Sequence, residues 1–421
     1  MSELISLHLG GAGINIGKAY WDLVLNEHHI DHSGHIDPIK KTEYSCRAFK
    51  QNTNGTYTPR ALFIDTEDLS LNNLLKSKNW PRFEGITHCL DQDSGGILAK
   101  VKNEIFPQKK ENLLDKIRNL AEASDSLESF FLFFGSGGTG SGLGTCLCES
   151  LKEEYKNVSL SSVITYPCKE VGKSAIESYN SSISISYALL NSDIVYAYDN
   201  LALHNMCINN LSETYSSFSM INGIIAHSLA NMTSVFRFSN TRISDFQGSL
   251  VLNNNLKVIT PGFSPVAKSE NCPKDWKSIC MAALEPSNTM VRSEQLNTHF
   301  GKAKFVFRGV IDRDESNKIL NELAQENGFE MDKVQIFNLN EAGESDGDFK
   351  VGNKTVGMLS NSNAVLETIE RITNEFSSMF SSRAFVFWYT SHSMEELEFE
   401  ESNTNMFLLL EQLRVSNHYN R

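Results

Sequence analysis

An α/β fold on a doubly wound parallel sheet is what this sequence predicts, and three observations carry the prediction. Strand-like and helix-like segments alternate through the first half of the chain. The aromatic run Ser129–Phe134 has strand length and leads at once into the glycine-rich stretch Ser136–Gly142. That stretch opens Leu143–Tyr155, where Leu143, Cys146, Leu147 and Leu151 recur at helical spacing. The chain is also long, 421 residues with 40% hydrophobic content, enough for about two or three domains of ordinary soluble composition. Alternation of this kind means a parallel sheet with helices on both faces and ligands at the carboxyl ends of its strands.

The elements follow in order. Glu3–Leu9 reads as a strand and Asn15–Asn26 as the helix after it. Ala61–Asp65 is a strand ending in acid, and Lys109–Ala123 a helix with Leu113, Leu114, Ile117 and Leu120 on one face. Phe130–Phe134, the glycine loop with its helix, Leu160–Tyr166 and Ile194–Tyr198 continue the series, closed by Asp199 and Asn200. Phe218–Phe238 is the longest periodic helix, with Phe218, Ile221, Ile224, Ile225, Leu229, Met232, Val235 and Phe236 at spacings of three and four. So broad an apolar face predicts a helix packed between two domains. A second α+β portion begins with a strand at Val258 and Ile259, then a helix at Trp276–Leu284 and a strand at Lys304–Val310. The acidic, glycine-containing Asn338–Asp348 reads as a surface loop. The amphipathic helix Asn363–Phe380, apolar at Val365, Leu366, Ile369, Ile372, Phe376, Met379 and Phe380, precedes a last helix at Glu395–Leu413.

A formal charge of −13 with no basic cluster argues against a nucleic-acid partner. The longest apolar run falls far short of the roughly 20 residues of a membrane span, and the N-terminus carries no signal-peptide pattern. Eight cysteines without paired spacing suit a reducing cytosol, so a cytoplasmic protein is expected. Cys146 and Cys148 face different directions on one helix, which argues against a shared metal. His28, His29, His32 and His35 have ligand-like spacing, but Gly34 opens a loop among them.

The glycine stretch is where chemistry is expected. A buried strand feeding a glycine turn and then a helix lets backbone approach a phosphate, and the free N–H groups of the first helical turn supply partial positive charge. With no Lys in the loop this is not the GxxxxGK[ST] loop. Charge would be met by backbone amides, by the hydroxyls of Thr139 and Ser141, and by a metal.

Ser136–Gly142 resembles the signature of the tubulins, and the resemblance extends over essentially the whole chain. His8–Gly17 is similar to the family's first nucleotide loop, G-Q-x-G-x-Q, keeping Gly10 and Gly13 around Ala12 but with Gly11 and Asn15 in place of the glutamines. Pro59–Asp68 resembles PRAxxxDxEP and retains Asp65 and Glu67, which the resemblance places near the Mg²⁺ of a bound triphosphate. In Asp93–Lys100 the family's paired asparagines are replaced by Gly96 and Ile97. Tyr166–Asn180 resembles the ribose-binding loop, with Glu177 as the ribose acid. Asp199 and Asn200 match the strand-end pair whose Asn contacts the base, and Asn222, with Phe218 beside it, matches the residue that completes guanine recognition. The implied site is thus Gly10, Gly11, Ala12, Asn15, Ser136, Gly137, Gly138, Thr139, Gly140, Ser141, Glu177, Asn200, Phe218 and Asn222, holding GTP or GDP, with Asp65 and Glu67 toward Mg²⁺. Thr260–Val266, Leu284–Val291, Arg308-Gly309 and Phe376–Ser402 match toward the C-terminus, while Ser124–Phe130 and Phe218–Asn222 look more like the gamma class. Subfamily signals conflict.

The resemblance implies a GTPase domain (1–212), a long central helix (213–238), an α+β intermediate domain (239–362) and a C-terminal helical pair (363–421). It also implies head-to-tail assembly with other tubulin subunits into cytoskeletal filaments, each completing its neighbour's catalytic site. The loop Phe238–Val251 corresponds to the activating loop and puts Asp245 in the place of the catalytic acid, with Arg242 a departure. A non-hydrolysing structural or capping subunit is the alternative, favoured by Gly11, Gly96 and the shortened loop at Asp245. A dinucleotide-dependent enzyme using Gly10–Gly13 fits poorly, since the glycine spacing and downstream acid are wrong. The sequence given ends LRVSNHYNR without an acidic tail, so weak binding is expected of partners that read such a tail.

Overall fold

Strands that are apolar on both faces belong in the middle of a covered parallel sheet, and here they order it. The computed structural model describes residues 3–31, 33–37, 43–77, 80, 83, 85–172, 174–251, 256–267, 272–293, 300–331, 335–337 and 352–416. The main strands are β1 (Glu3–Leu9), β2 (Ala61–Asp65), β3 (Thr87–Cys89), β4 (Leu127–Gly135), β5 (Ser159–Tyr166), β6 (Ile194–Asp199), β7 (Val258–Ser264), β8 (Phe300–Arg308) and β9 (Thr355–Ser362). They lie in the order β3-β2-β1-β4-β5-β6-β7-β9-β8, with the short strands Glu330–Met331 and Gln335–Phe337 both paired to β8. Pairing is parallel from β3 to β7 and antiparallel at β9 and β8. The first six strands have the 3-2-1-4-5-6 order of a doubly wound fold, whose direction reverses between β1 and β4.

The helices are α1 (Gly10–Glu27), α2 (Asp68–Leu75), α3 (Phe106–Glu122), α4 (Thr139–Glu154), α5 (Glu177–Asn191), α6 (Asn200–Asn205), α7 (Phe218–Arg237), α8 (Ile243–Gly248), α9 (Trp276–Leu284), α10 (Arg313–Asn327), α11 (Leu366–Ser381), α12 (Val386–Thr390) and α13 (Glu396–Ser416). A π-helical turn, Val101–Ile105, leads into α3. Both α1 and α4 start about a turn earlier than apolar periodicity indicates, because their glycine turns are themselves the first helical turns.

The second α+β portion continues the first sheet. β7 pairs with β6 at Val195–Val258 and Tyr196–Ile259 before turning antiparallel to β9. On one face α1 and α7 pack with Tyr20, Trp21, Ile224, Ile225 and Leu229 in the core. On the other, α3, α4, α11 and α13 bring together Leu113, Leu147, Ile369 and Leu409. From Met220 to Arg237 every residue of α7 is buried except Asn222. At its end, Arg237 and Arg308 each lie 2.6 Å from the carboxylate of Glu27, joining α1, α7 and β8. Burial alone would raise that carboxyl, but the two guanidinium groups outweigh it and hold it at about 2.

Of the histidine cluster, His28 is taken up by packing. His28 is buried, stacked on Phe238 at 4.5 Å and edge-on to Phe49, so it cannot turn toward a metal shared with His29 and His35. His32 and the loop Asn338–Asp348 lie outside the described residues. No described helix is long and apolar enough to cross a membrane.

Candidate functional site

The site grows from the reversal between β1 and β4. Each strand ends in a glycine turn, and the two turns touch. Gly10 has φ +66°, and a Cβ there would stand 2.6 Å from the Gly140 amide nitrogen. A Cβ on Gly140 would stand 2.7 Å from the Leu9 carbonyl, and one on Gly13 only 2.2 Å from that of Phe133. These glycines let the two turns pack backbone to backbone. Gly138 differs: its φ is −135° and no atom lies within 4 Å of where a Cβ would be.

Beside the turns is a cavity of about 540 Å³ lined by Ala12, Asn15, Thr165, Asn200, Phe218 and Asn222 among others. Among the described residues, the side-chain amides of Asn200 and Asn222 bond no protein group, nor do the backbone N–H groups of Gly137 and Gly138. Asn15 is partly engaged, its Nδ2 donating to the Gly11 carbonyl at 2.7 Å. Phe218 is 55% exposed at the start of α7, which Ser217 caps. The arrangement offers two free amide groups for a planar polar ring, an aromatic face and unpaired N–H groups for an anion.

The loop hydroxyls are arranged differently from expectation. Ser141 donates to the Gly138 carbonyl at 2.5 Å, and Ser136 donates to Ser181 at 3.0 Å while its amide bonds the Thr165 carbonyl. Both serines therefore shape the turn from within, since their hydroxyls are engaged by protein. Thr139 lies 2.8 Å from the Ser94 hydroxyl, which ties the Asp93–Lys100 loop to the same turn.

At the end of β2 three acids gather. Asp65 accepts from the Thr66 amide at 2.8 Å, and burial pushes its carboxyl up. Glu67 is exposed, and its carboxyl is raised by partial desolvation, by a hydrogen bond shared with Asp93 and by the charges of Asp93 and Asp65. Ser70 bonds Asp65, and its oxygen is the nearest atom to where a Cβ on Gly11 would be, at 3.2 Å. Asp93 runs the other way, its carboxyl lowered by the Gly95 amide. Carboxylate oxygens gathered at one strand end are the hard donor set that an oxygen-preferring divalent cation takes, so Mg²⁺ fits here.

Glu177 begins α5 and reaches past Gly137, where a Cβ would stand 3.0 Å from its Cγ. It lines a neighbouring cavity of about 370 Å³ together with Lys169, Arg371 and Glu375. Burial raises its carboxyl, and Glu375 adds to the effect. Sequence reasoning missed Arg371, which bonds the Pro167 carbonyl and the fully buried Asp199, both at 2.9 Å, and so fixes the strand end that presents Asn200. It also missed Asn180, whose four partners are distant in sequence; the only signal was its place at the end of the Tyr166–Asn180 loop.

Asp245 is not brought to this cavity. It is exposed in the first turn of the short helix α8, where a loop is expected. α8 is fixed at the opposite end of the sheet: Ser244 donates to Glu128 at 2.9 Å and Gln247 accepts from Ser159 at 3.0 Å, at the starts of β4 and β5. At about 3.3 Å per residue, a nine-residue β4 separates the two ends by roughly 25–30 Å.

Comparisons with known proteins agree with this architecture. Residues 3–208 match the model of the Tubulin/FtsZ family, GTPase domain. A tubulin alpha chain of Encephalitozoon cuniculi is 31% identical over 430 residues, 97% of this chain and 96% of that protein. A tubulin alpha chain of Colletotrichum orbiculare is 30% identical, covering 97% of this chain and 95% of its own length. A tubulin beta chain of Candida albicans is 28% identical over 96% of this chain and 92% of its own.

Proposed function

This chain belongs to the Tubulin/FtsZ family, and from that premise we propose that it binds a guanine nucleotide between the two glycine turns and assembles head to tail with other tubulin subunits. The observation that carries the reading is the amides of Asn200 and Asn222, left unengaged in the lining of one cavity, with the unpaired N–H groups of Gly137 and Gly138 and the open space at Gly138 on the glycine turn that adjoins it through Ser136 and Thr165. Amides that can both donate and accept suit the edge of guanine. Gly10–Asn15 and Ser136–Ser141 frame the phosphates, Phe218 packs beside the base and Glu177 serves the ribose. Asp65 and Glu67 would hold Mg²⁺, which supplies neutralising charge for a triphosphate.

Asp245 cannot reach its own cavity from the far end of the sheet. In a head-to-tail stack that end faces the next subunit's carboxyl-end edge, where an exposed carboxylate can orient water or accept its proton. The protein then works as a cytoskeletal subunit in the cytoplasm with assembly-coupled GTP hydrolysis. Its working parts are the GTP-binding portion 1–212, the central helix 213–238, the intermediate portion 239–362 and the helical portion 363–421.

The test is hydrolysis against concentration. The rate per subunit should rise above a threshold concentration, and Asp245→Ala should bind nucleotide normally while turning over about 10²-fold more slowly. Concentration-independent hydrolysis, or normal turnover by that variant, would remove Asp245 from the mechanism. Gly11, which brings no side chain toward the acids and has only Ser70 as a near neighbour, favours a second reading: a non-hydrolysing subunit with permanently held nucleotide. Bound guanine nucleotide with no hydrolysis at any concentration supports that one.

A further inference from the structure

Asn180 is fully buried in α5, and all four hydrogen-bonding positions of its amide are engaged. Its Nδ2 donates to the Gly137 carbonyl at 2.9 Å and to the Gly96 carbonyl at 2.8 Å. Its Oδ1 accepts from the Leu98 amide at 3.2 Å and from the Tyr389 hydroxyl at 2.6 Å. Two carbonyls on one side and two donors on the other permit one orientation of the amide only. The side chain thus joins three segments: the second glycine turn, the Asp93–Lys100 loop and α12.

Tyr389 is equally constrained. It is buried, with its ring edge-on to Tyr179 at 5.5 Å and to Phe399 at 5.3 Å, and of the two acceptors its hydroxyl faces, Asn180 at 2.6 Å is much nearer than the Ile176 carbonyl at 3.4 Å. Just past α12, His392 holds the π-helical turn that follows the loop, its carbonyl accepting from Asn103 at 2.9 Å and its ring lying 2.7 Å from the Glu104 carboxylate.

We propose that Asn180 is a positioning residue for the nucleotide site, oriented by Tyr389, which fixes the Gly137 and Gly96 turns at one spacing and links them to the C-terminal helices. The reasoning is geometric. Gly137 and Gly138 present free N–H groups, and an anion gains most from such groups when they are held still before it arrives. Backbone of glycine has little conformational preference of its own, so a buried side chain must supply the restraint. The assignment rests on the proposal that the cavity binds a guanine nucleotide.

The experiment measures GDP release from the full-length protein, together with amide hydrogen exchange of peptides covering Gly96–Leu98 and Ser136–Ser141. Asn180→Ala should speed release by about tenfold or more, the scale of a buried hydrogen-bonding group left without partners. Asn180→Asp, which replaces the two N–H donors by an acceptor against two carbonyls, should do at least as much. Tyr389→Phe keeps the ring and removes only the hydroxyl; about a threefold increase is expected, with faster exchange in both peptides. Combined with Asn180→Ala it should add nothing, because it acts through that residue. Tyr179→Phe is the control: it removes a hydroxyl that donates to the Ala384 carbonyl at 2.8 Å in the same cluster, without touching Asn180. It should lower the unfolding temperature about as Tyr389→Phe does and leave release unchanged. Wild-type release rates in Asn180→Ala and Tyr389→Phe, or equal acceleration in Tyr179→Phe, overturn the positioning role while leaving nucleotide binding intact. A wild-type protein that binds no guanine nucleotide overturns the proposed function itself, and the positioning role with it.

Discussion

The two glycine turns at the carboxyl edge of the sheet look alike in sequence and differ in what their glycines are for. In the first, Gly10 takes a left-handed φ of +66° and Gly13 faces the Phe133 carbonyl, so neither position has space for a side chain. In the second, Gly140 is equally closed, against the Leu9 carbonyl, yet Gly138 two residues before it faces open space with a negative φ of −135°. Glycine at the first three positions is a packing requirement. At Gly138 no protein atom stands where a side chain would go, so packing does not account for the glycine, and the proposed nucleotide is what would fill that space. Substitutions should therefore separate folding from binding at neighbouring positions.

The largest effect is expected at Gly13. A methyl group there would overlap a main-chain oxygen, and overpacking against backbone costs about 3 kcal/mol or more, a large share of a typical stability of roughly 5–15 kcal/mol. Gly13→Ala should express as unfolded or aggregated protein, checked by circular dichroism and thermal melting. A native melt would mean that the β1–β4 junction yields more easily than its close contacts indicate.

Gly138→Val comes next and should behave in the opposite way. Its methyls enter empty space, so the melting temperature should stay near that of the wild type, while guanine nucleotide affinity should fall about 100-fold or more if the proposed ligand occupies that space. Titration with a fluorescent GDP analogue decides it. Retained affinity would show that the second turn is only a connection.

This contrast was partly legible in the sequence. The apolar runs Glu3–Leu9 and Ala61–Asp65 and the helix Trp276–Leu284 have the bounds that periodicity assigns them. Periodicity works there because burial on one side, or on both, selects residues by polarity. It fails at α5, where Ser178, Ser181, Ser182, Ser184 and Ser186 are all buried, and small hydroxyl residues carry no apolar signal. It also fails at β9, whose fully buried TVGMLSNS mixes polar and apolar positions inside an antiparallel pairing. The glycine turns could be found but not told apart, because closeness to Phe133 or to Leu9 is a property of two chain segments meeting. Asn180 and Arg371 escaped for the same reason: their partners lie far away along the chain.

A third effect should be smaller, and it compares the amides of the cavity. Asn222→Ala removes a side chain with no protein partner, so the fold should be unchanged and affinity for GTP and GDP should fall alike, by about tenfold, or roughly 1.4 kcal/mol. Asn15→Ala should cost less, since part of that amide is already engaged by the Gly11 carbonyl. A loss for GTP but not GDP at Asn222 would place this residue at the phosphates instead of the base.

The smallest effect concerns pH and rests on Asp65 and Glu67, which the first turn abuts through Gly11 and Ser70. Burial raises Asp65, and partial desolvation with the neighbouring Asp93 raises the exposed Glu67, so these carboxyls take up protons at a higher pH than an ordinary carboxylate, whose range lies near about 4. A raised carboxyl binds its proton more tightly in the folded than in the unfolded chain. Its contribution to stability therefore grows as pH falls through the folded value, while a cation competing for the same oxygens is bound less well. Glu27 runs in the other direction: held at about 2 by its two arginines, it stabilises fully above the ordinary carboxylate range and loses that effect only as pH falls toward 2. Between pH 7 and pH 5, then, the magnesium-dependent part of nucleotide affinity should fall by about threefold, with affinity measured in chelator nearly flat. Asp65→Asn should weaken the magnesium dependence at pH 7 and remove most of this slope. An equal slope with and without magnesium would place the titrating group in the second turn, where the raised carboxyl of Glu177 lies against Gly137.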